Sequence, residues 1–462
     1  MSKVVYPYIP NSEPAVKEQM LKEIGIESVE DIFKEIPKRL RFKGKLNIPE
    51  PFLSEYELRR HVEGLLKKNV SCKDYLNFLG AGTWQHYVPA VCDTIISRDE
   101  FLTAYVGDAY GDHGKFQALF ETASMIGELV GMDMVNTPTY DWANAIAISC
   151  RMAARMNGRK EVLVVGTISP GRLSVVQNYC KPDIRVELID FHVDTGLMDL
   201  EDLEARISDK TSAVYIENPS YLGFIELQGE EIARITHNAG AELIVGVDPS
   251  SLGIIAPPSD YGADIVCGEL QPFGIHMQWG GGLAGFIATR DEERYVAEYP
   301  SLLFGLTTTV AEGEYGFGEV FYERTSYASR EKGKDFIGTC AALYGIAAGV
   351  YMALIGPQGL KELSEGIMQR VQYAIELLSQ IKGIYVPVIK SPCFKEFVVD
   401  FEGTGKTVRE INRELLSRQI FGGKDISQEF PVYGNSALYC ITEVHTKEDI
   451  KKLALALEEI LK

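Results

Sequence analysis

One stretch limits what this chain can become. Residues 241–288 read AELIVGVDPSSLGIIAPPSDYGADIVCGELQPFGIHMQWGGGLAGFIA. The apolar run 243–247 has the continuous hydrophobicity of a strand buried on both faces, and it stops at Asp248, where Pro249, Ser250 and Ser251 turn the chain. A second buried run, 263–267, leads through the turn 268–279 and Gly280-Gly281-Gly282 into a third, 283–288. Such runs predict a parallel sheet, and the carboxyl ends of parallel strands are where α/β proteins place their ligands. Asp248 alone reads equally well as a turn residue accepting from nearby backbone amides.

The order strand–Asp, strand, irregular turn, Gly-rich segment resembles the core of aspartate-aminotransferase-type pyridoxal phosphate enzymes. That resemblance implies a salt bridge from Asp248 to a pyridinium nitrogen, keeping the ring an electron sink. It also implies a Schiff-base lysine in the turn after the next strand. No lysine occurs anywhere from Thr211 to Glu331. The pattern predicts the fold without its usual covalent anchor.

A chain of 462 residues exceeds one ordinary core and is expected to split into lobes. Its 46% apolar and 24% charged content is that of a soluble globular protein. A net charge of −19 argues against nucleic acid or an anionic membrane as partner, because its field repels polyanions. The start, MSKVVYPYIPNSE, lacks leader architecture, and no apolar run approaches membrane-spanning length, so no span is expected. Eight scattered cysteines without a CxxC pair fit a reduced, cytoplasmic protein. The seven histidines show no ligand spacing, so no metal site is expected.

Residues 6–42 read as an arm with two short helices, 13–24 (capped by Ser12) and 28–35. Its spacing Met20-Leu21, Ile24-Gly25-Ile26, Val29, Ile32-Phe33, Ile36-Pro37 resembles the opening of the alpha-subunit branch of the glycine cleavage system P-protein family. The block 78–91, FLGAGTWQHYVPAV, matches that family nearly residue for residue. Physically, Gly80 and Gly82 permit a positive φ or a close backbone approach beside Trp84, His86 and Tyr87. The similarity continues through FLTAY (101–105) and the amphipathic helix 115–130 that Gly131 stops, with Leu119, Phe120, Met125, Ile126, Leu129 and Val130 on its inner stripe. Strands at 162–165, 185–189 and 212–216 alternate with helices, as in a doubly wound, mostly parallel sheet. The turn Glu217-Asn218-Pro219-Ser220-Tyr221-Leu222-Gly223 resembles the family's NPN-x-x-G turn.

The chain departs from the family in three places. Its loop 106–114, VGDAYGDHG, is one residue shorter and glycine-rich. Trp142 stands where the family has glycine, at a helix N-terminus whose free amides suit an anion; the indole is expected to obstruct a cofactor phosphate there. An asparagine pair is replaced by Lys334-Asp335.

The resemblance implies an N-terminal arm (1–75), a large pyridoxal-phosphate-transferase-like α/β domain (76–355) and a smaller α+β domain (356–462). It implies a lysine-less alpha-type subunit of glycine decarboxylase, with pyridoxal phosphate on a lysine-bearing beta subunit in an α2β2 assembly. The whole enzyme decarboxylates glycine and passes the aminomethyl group to the lipoyl H-protein. In that reading His86, Tyr105, Tyr110, His113 and His276 contribute to catalysis in trans, and Asp248, Thr139 and Asn144 face the cofactor. Two alternatives remain open: a stand-alone enzyme using His276 as base, and a non-catalytic pseudoenzyme.

Overall fold

The protein is described here by a computed structural model covering residues 5–102, 113–136, 138–300, 302–337 and 341–462. It divides into two compact units, Met1–Asn69 and Val70–Lys462.

The first unit carries helices Pro14–Ile24 and Glu55–Leu66, and none of its described residues is buried. Ser12 does not cap the first helix. Its hydroxyl bonds the Tyr6 backbone, and Glu13 takes the cap position ahead of Pro14. The second helix shrinks to a five-residue 3-10 turn, Val29–Phe33, held by a Ser28–Asp31 capping box. So short a segment cannot nucleate an α-helix by itself.

The second unit is built on a seven-stranded sheet. Its strands in chain order are β1 (Met134–Val135), β2 (Glu161–Val165), β3 (Arg185–Ile189), β4 (Thr211–Glu217), β5 (Glu242–Val247), β6 (Ile265–Glu269) and β7 (Gly285–Thr289). The spatial order is β1-β7-β6-β5-β4-β2-β3. Strands β2 to β6 pair in parallel; β7 runs antiparallel to β6, and β1 antiparallel to β7. The sheet is thus mostly parallel, as the sequence predicts. Every residue of β4, β5 and β6 is buried, which is why those runs lack polar alternation. Helix Trp142–Asn157 packs on one face among Ile146, Met152, Val162 and Ile244; helix His113–Val130 packs on the other with Val214, Val245 and Phe286.

A second lobe follows the 38-residue helix Ala342–Ser379, which is broken at Gly356 ahead of Pro357. By length and composition this helix is apolar enough to cross a membrane, but 44% of its apolar window is buried inside the protein. Strand Ser436–Cys440 is flanked antiparallel by Glu396–Asp400 and Lys424–Asp425, and helices Val408–Ser417 and Lys447–Ile460 cover this small sheet. Ahead of this sheet the chain makes one bridge, Tyr385 to Asp400, and Pro387 has no N–H to extend it into a ladder. Leu76–Asn77 pairs in parallel with Ile420–Phe421, which ties the FLGAG block to this lobe.

Candidate functional site: three buried carboxyls at the strand ends

Strands β4, β5 and β6 lie side by side, and each ends in an acid: Glu217, Asp248 (one residue past β5) and Glu269. All three are buried at 5% exposure or less. A buried carboxyl must be neutralised or fully hydrogen-bonded. The chain meets that demand differently at each.

Asp248 accepts from the Ser250 amide at 3.1 Å and from its hydroxyl at 2.7 Å through Oδ1. Its Oδ2 lies 2.5 Å from the ammonium of Lys395, whose side chain is 1% exposed. The same ammonium sits 3.0 Å from His86 Nε2 and 4.1 Å from the centroid of the Trp84 ring. An ammonium can only donate, so His86 Nε2 accepts and Nδ1–H donates to Glu443 Oε2 at 2.8 Å. Burial pushes the Glu443 carboxyl up, and the hydrogen bonds from His86 Nδ1–H and the Tyr87 amide pull it below its ordinary value.

Among the described residues no cation pairs with Glu269. Its Oε2 accepts from the backbone N–H of Trp142 at 3.1 Å, and its Oε1 from those of Gln271 at 3.1 Å and Ala284 at 2.7 Å. Burial raises its pKa to about 7. The Trp142 amide belongs to the first turn of helix Trp142–Asn157, whose N-cap Asp141 accepts from the Asn144 amide at 2.7 Å. Amides at the end best suited to an anion are therefore taken by side chains of the chain itself.

Glu217 accepts from Arg172 at 3.0 Å and from the Tyr215 hydroxyl at 3.1 Å. The Arg172 guanidinium lies 3.6 Å from the Trp142 ring centroid, a cation–π stack that presses the indole between the strand ends.

The glycine-bearing blocks close over this corner. Gly82 takes φ +111°, and a Cβ on Gly80 would lie 2.3 Å from Glu396 Oε1. Gly223, at φ +90°, leaves only 1.9 Å between such a Cβ and the Glu396 carbonyl. Gln271 binds Trp84 twice, donating to its carbonyl at 2.9 Å and accepting from its amide at 3.0 Å. What remains between Trp84, Trp142, Arg172, Asp248 and Phe394 is a cavity of about 10 Å³, room for at most one water where ligand pockets run to several hundred.

The predicted residues separate. His86 and Asp248 meet through Lys395. Thr139 is buried and structural in its contacts: its amide donates to Gly285, and its hydroxyl to the Asp141 carbonyl. Asn144 serves the same turn, its side-chain oxygen facing the Tyr140 amide at 3.4 Å. His276 is half exposed and bonds Asp93 at 3.0 Å, away from the Asp248 cluster. Tyr105, Tyr110 and most of the loop 106–114 lie outside the described residues, as does anything about the side chain of His113. Asp335, in the replaced pair, bridges Arg151 and Arg155 at 3.0 and 2.7 Å. Among the described residues there is no metal-ligand cluster, and the seven of the eight cysteines that fall among them are free. Sequence reasoning missed Lys395, Glu269, Arg172 and Glu443. The signals were a lone Lys-Glu pair ahead of the run FVVD and acids closing two apolar strands.

Comparison with known proteins settles the lineage. Residues 6–457 match the family described as glycine cleavage system P-protein. The chain belongs to that family. A relative from Staphylothermus marinus, named probable glycine dehydrogenase (decarboxylating) subunit 1, is 39% identical across 99% of this chain and 98% of its own length. Relatives bearing the same name from Pyrococcus abyssi and Carboxydothermus hydrogenoformans are 39% and 40% identical, covering 98% and 96% of this chain and 99% and 98% of their own lengths. Among solved structures, a glycine decarboxylase (P-protein) in inhibitor-bound form superposes with a TM-score of 0.84 at 32% identity, covering 99% of this chain and all of that one. A NifS-like protein at 14% identity and TM-score 0.61 shares the fold alone.

A P-protein fold implies pyridoxal phosphate, and the residues present do not fit it here. Asp248, which the resemblance implies as the counter-charge of a ring nitrogen, is engaged by Lys395; the helix-start amide of Trp142, of the kind that suits a phosphate, is engaged by Glu269; and Trp84 and Trp142 line the little space left.

Proposed function

We propose that this chain is the alpha-type subunit of a two-subunit glycine decarboxylase and carries no pyridoxal phosphate of its own. The cofactor, whose ring absorbs electrons when carbon dioxide leaves, belongs on a lysine-bearing partner subunit. The observation that carries this reading is Asp248 already bound to Lys395, in a chain without lysine from Thr211 to Glu331 and with relatives named subunit 1. Glycine, the lipoyl H-protein and an α2β2 arrangement follow from the same reading, in a cytoplasmic setting. His86, Tyr105, Tyr110 and His113 remain candidates for contacts made in trans.

The arm supports an obligate partner. Its described residues include Tyr8 and Leu53 at 97% and 95% exposure, with Ile9, Ile24, Leu40 and Phe42 each more than half exposed. Surfaces of this kind are covered in permanent complexes. The test is reconstitution with the lysine-bearing homologue. The chain alone shows no glycine–bicarbonate exchange, and mixing restores it together with a species larger than either subunit in light scattering. Full exchange by a clean 51.3 kDa species of this chain alone overturns the reading.

A further inference from the structure

We propose that this chain has closed its own cofactor site with internal charges: the Lys395 ammonium stands on Asp248 in place of a ring nitrogen, and the Glu269 carboxyl holds helix-end amides in place of a phosphate. This goes beyond the subunit assignment, because it says why the site stays shut rather than where the cofactor lies.

The two substitutions match in chemistry as well as position. A pyridinium and an ammonium are both cationic N–H donors, so Asp248 keeps the partner type its buried carboxylate needs. Phosphate and carboxyl oxygens both accept from backbone amides, and Glu269 takes three: one at the helix start, one in the following turn and one leading into β7. Trp142 fills the gap that removal of the cofactor body would leave, and Arg172 stacked at 3.6 Å holds it there. Lys395, just ahead of strand Glu396–Asp400 of the small sheet, has φ +62°, an uncommon backbone for a non-glycine residue. That conformation directs its side chain inward between Trp84 and Phe394, whose ring centroids lie 4.1 and 5.9 Å from the ammonium. Its neighbour Glu396 then seals the FLGAG turn through the Ala81 amide at 2.5 Å. The ion pair therefore does two jobs: it neutralises Asp248 and fastens the small sheet over the strand ends.

The test uses the full-length chain and reads binding and stability. Titrated with pyridoxal 5′-phosphate, the wild-type chain gives no saturable visible absorption band and no stoichiometric quenching of tryptophan. Lys395→Ala leaves Asp248 uncompensated, and the melting temperature falls by roughly 5 °C or more. Propylammonium chloride, which replaces the lost cation, raises the variant's melting temperature more than the wild type's; sodium chloride at equal ionic strength does not. The double variant Lys395→Met, Asp248→Asn removes both charges and is more stable than Lys395→Ala, including where the single variant does not fold. Stoichiometric cofactor binding by the wild type, a Lys395→Ala variant as stable as wild type, or a double variant no better than the single overturns the proposal. Reconstituted exchange with a partner subunit is a separate readout, so a failure here leaves the subunit assignment to be judged on its own.

Discussion

Two regions of one strand-end surface have opposite characters. Around Asp248 charge is paired below the surface: a carboxylate, an ammonium, an imidazole and a partly buried second carboxylate form a chain through Lys395, His86 and Glu443. Around His276 the chain is open. Its ring is 53% exposed, its partner Asp93 54%, and Trp279 is fully exposed at φ +56°. A buried polar network is costly to break, because each lost partner leaves a desolvated charge. An exposed pair surrenders little, because water replaces the partner. In this chain, then, the corner around Asp248 is part of the core. The end of the turn 268–279, around His276 and Trp279, is surface, while Gln271, Phe273 and Ile275 before it are buried.

The largest effect is expected at Asp248. Asp248→Asn leaves the Lys395 ammonium buried without its counter-ion, and should destabilise the chain by about 3–5 kcal/mol. Chemical denaturation of the full chain measures it. Exchange by the assembled enzyme should stay within a few-fold of wild type once folding is compensated, because no ring nitrogen depends on this carboxylate. A loss of orders of magnitude in exchange with normal stability would turn the comparison around and make Asp248 a cofactor ligand.

The next effect is a pH dependence centred on Glu269. Its folded pKa, about 7, lies above the ordinary value of 4.5 because burial disfavours the charged form. The sign follows: the group's stabilising contribution is present in full below about 4.5 and is lost as pH rises through 7. The span of about 2.5 units corresponds to at most about 3 kcal/mol. Glu396, raised by burial to about 6, adds a smaller loss in the same direction. Glu269→Gln should flatten the slope of unfolding free energy between about pH 4.5 and pH 7, the window those values define. An unchanged slope would mean that Glu269 does not titrate there, and the contrast between the two regions would then rest on Asp248 alone.

Most of the sheet was legible because burial on both faces writes an uninterrupted apolar run, as in β4 and β5, whose ends the sequence locates within a residue or two. The helix 115–130 and its stop at Gly131 were equally legible from period and punctuation. The helix start at Trp142 was legible too, from the polar turn that precedes it. Lys395 was not. Its partner is distant in the chain, and spacing along a sequence carries no information about which lobe folds over which strand end. A charge inside the apolar context CFKEFVVD marks a buried ion without naming its counter-ion. Glu269 was hidden for a related reason: an acid at a strand end reads as the start of a turn unless the amides facing it are known.

The smallest effect is expected at His276, where the two regions can be compared by one conservative change. Asn cannot take a proton near neutral pH but can still hydrogen-bond, so His276→Asn separates acid–base chemistry from packing. The imidazole has two contacts, both to the Asp93 carboxylate at 3.0 and 3.1 Å, and both residues are more than half exposed. Exposed pairs of this sort contribute roughly 0–1 kcal/mol, so unfolding free energy should barely change. Reconstituted exchange should likewise keep most of its rate. If exchange collapsed while assembly and the partner's cofactor content stayed normal, the exposed turn would be acting on substrate from this chain into the partner's site. The division into a closed corner and an idle surface would then fail at the surface, while the buried ion pair of Asp248 and Lys395 would stand unchanged.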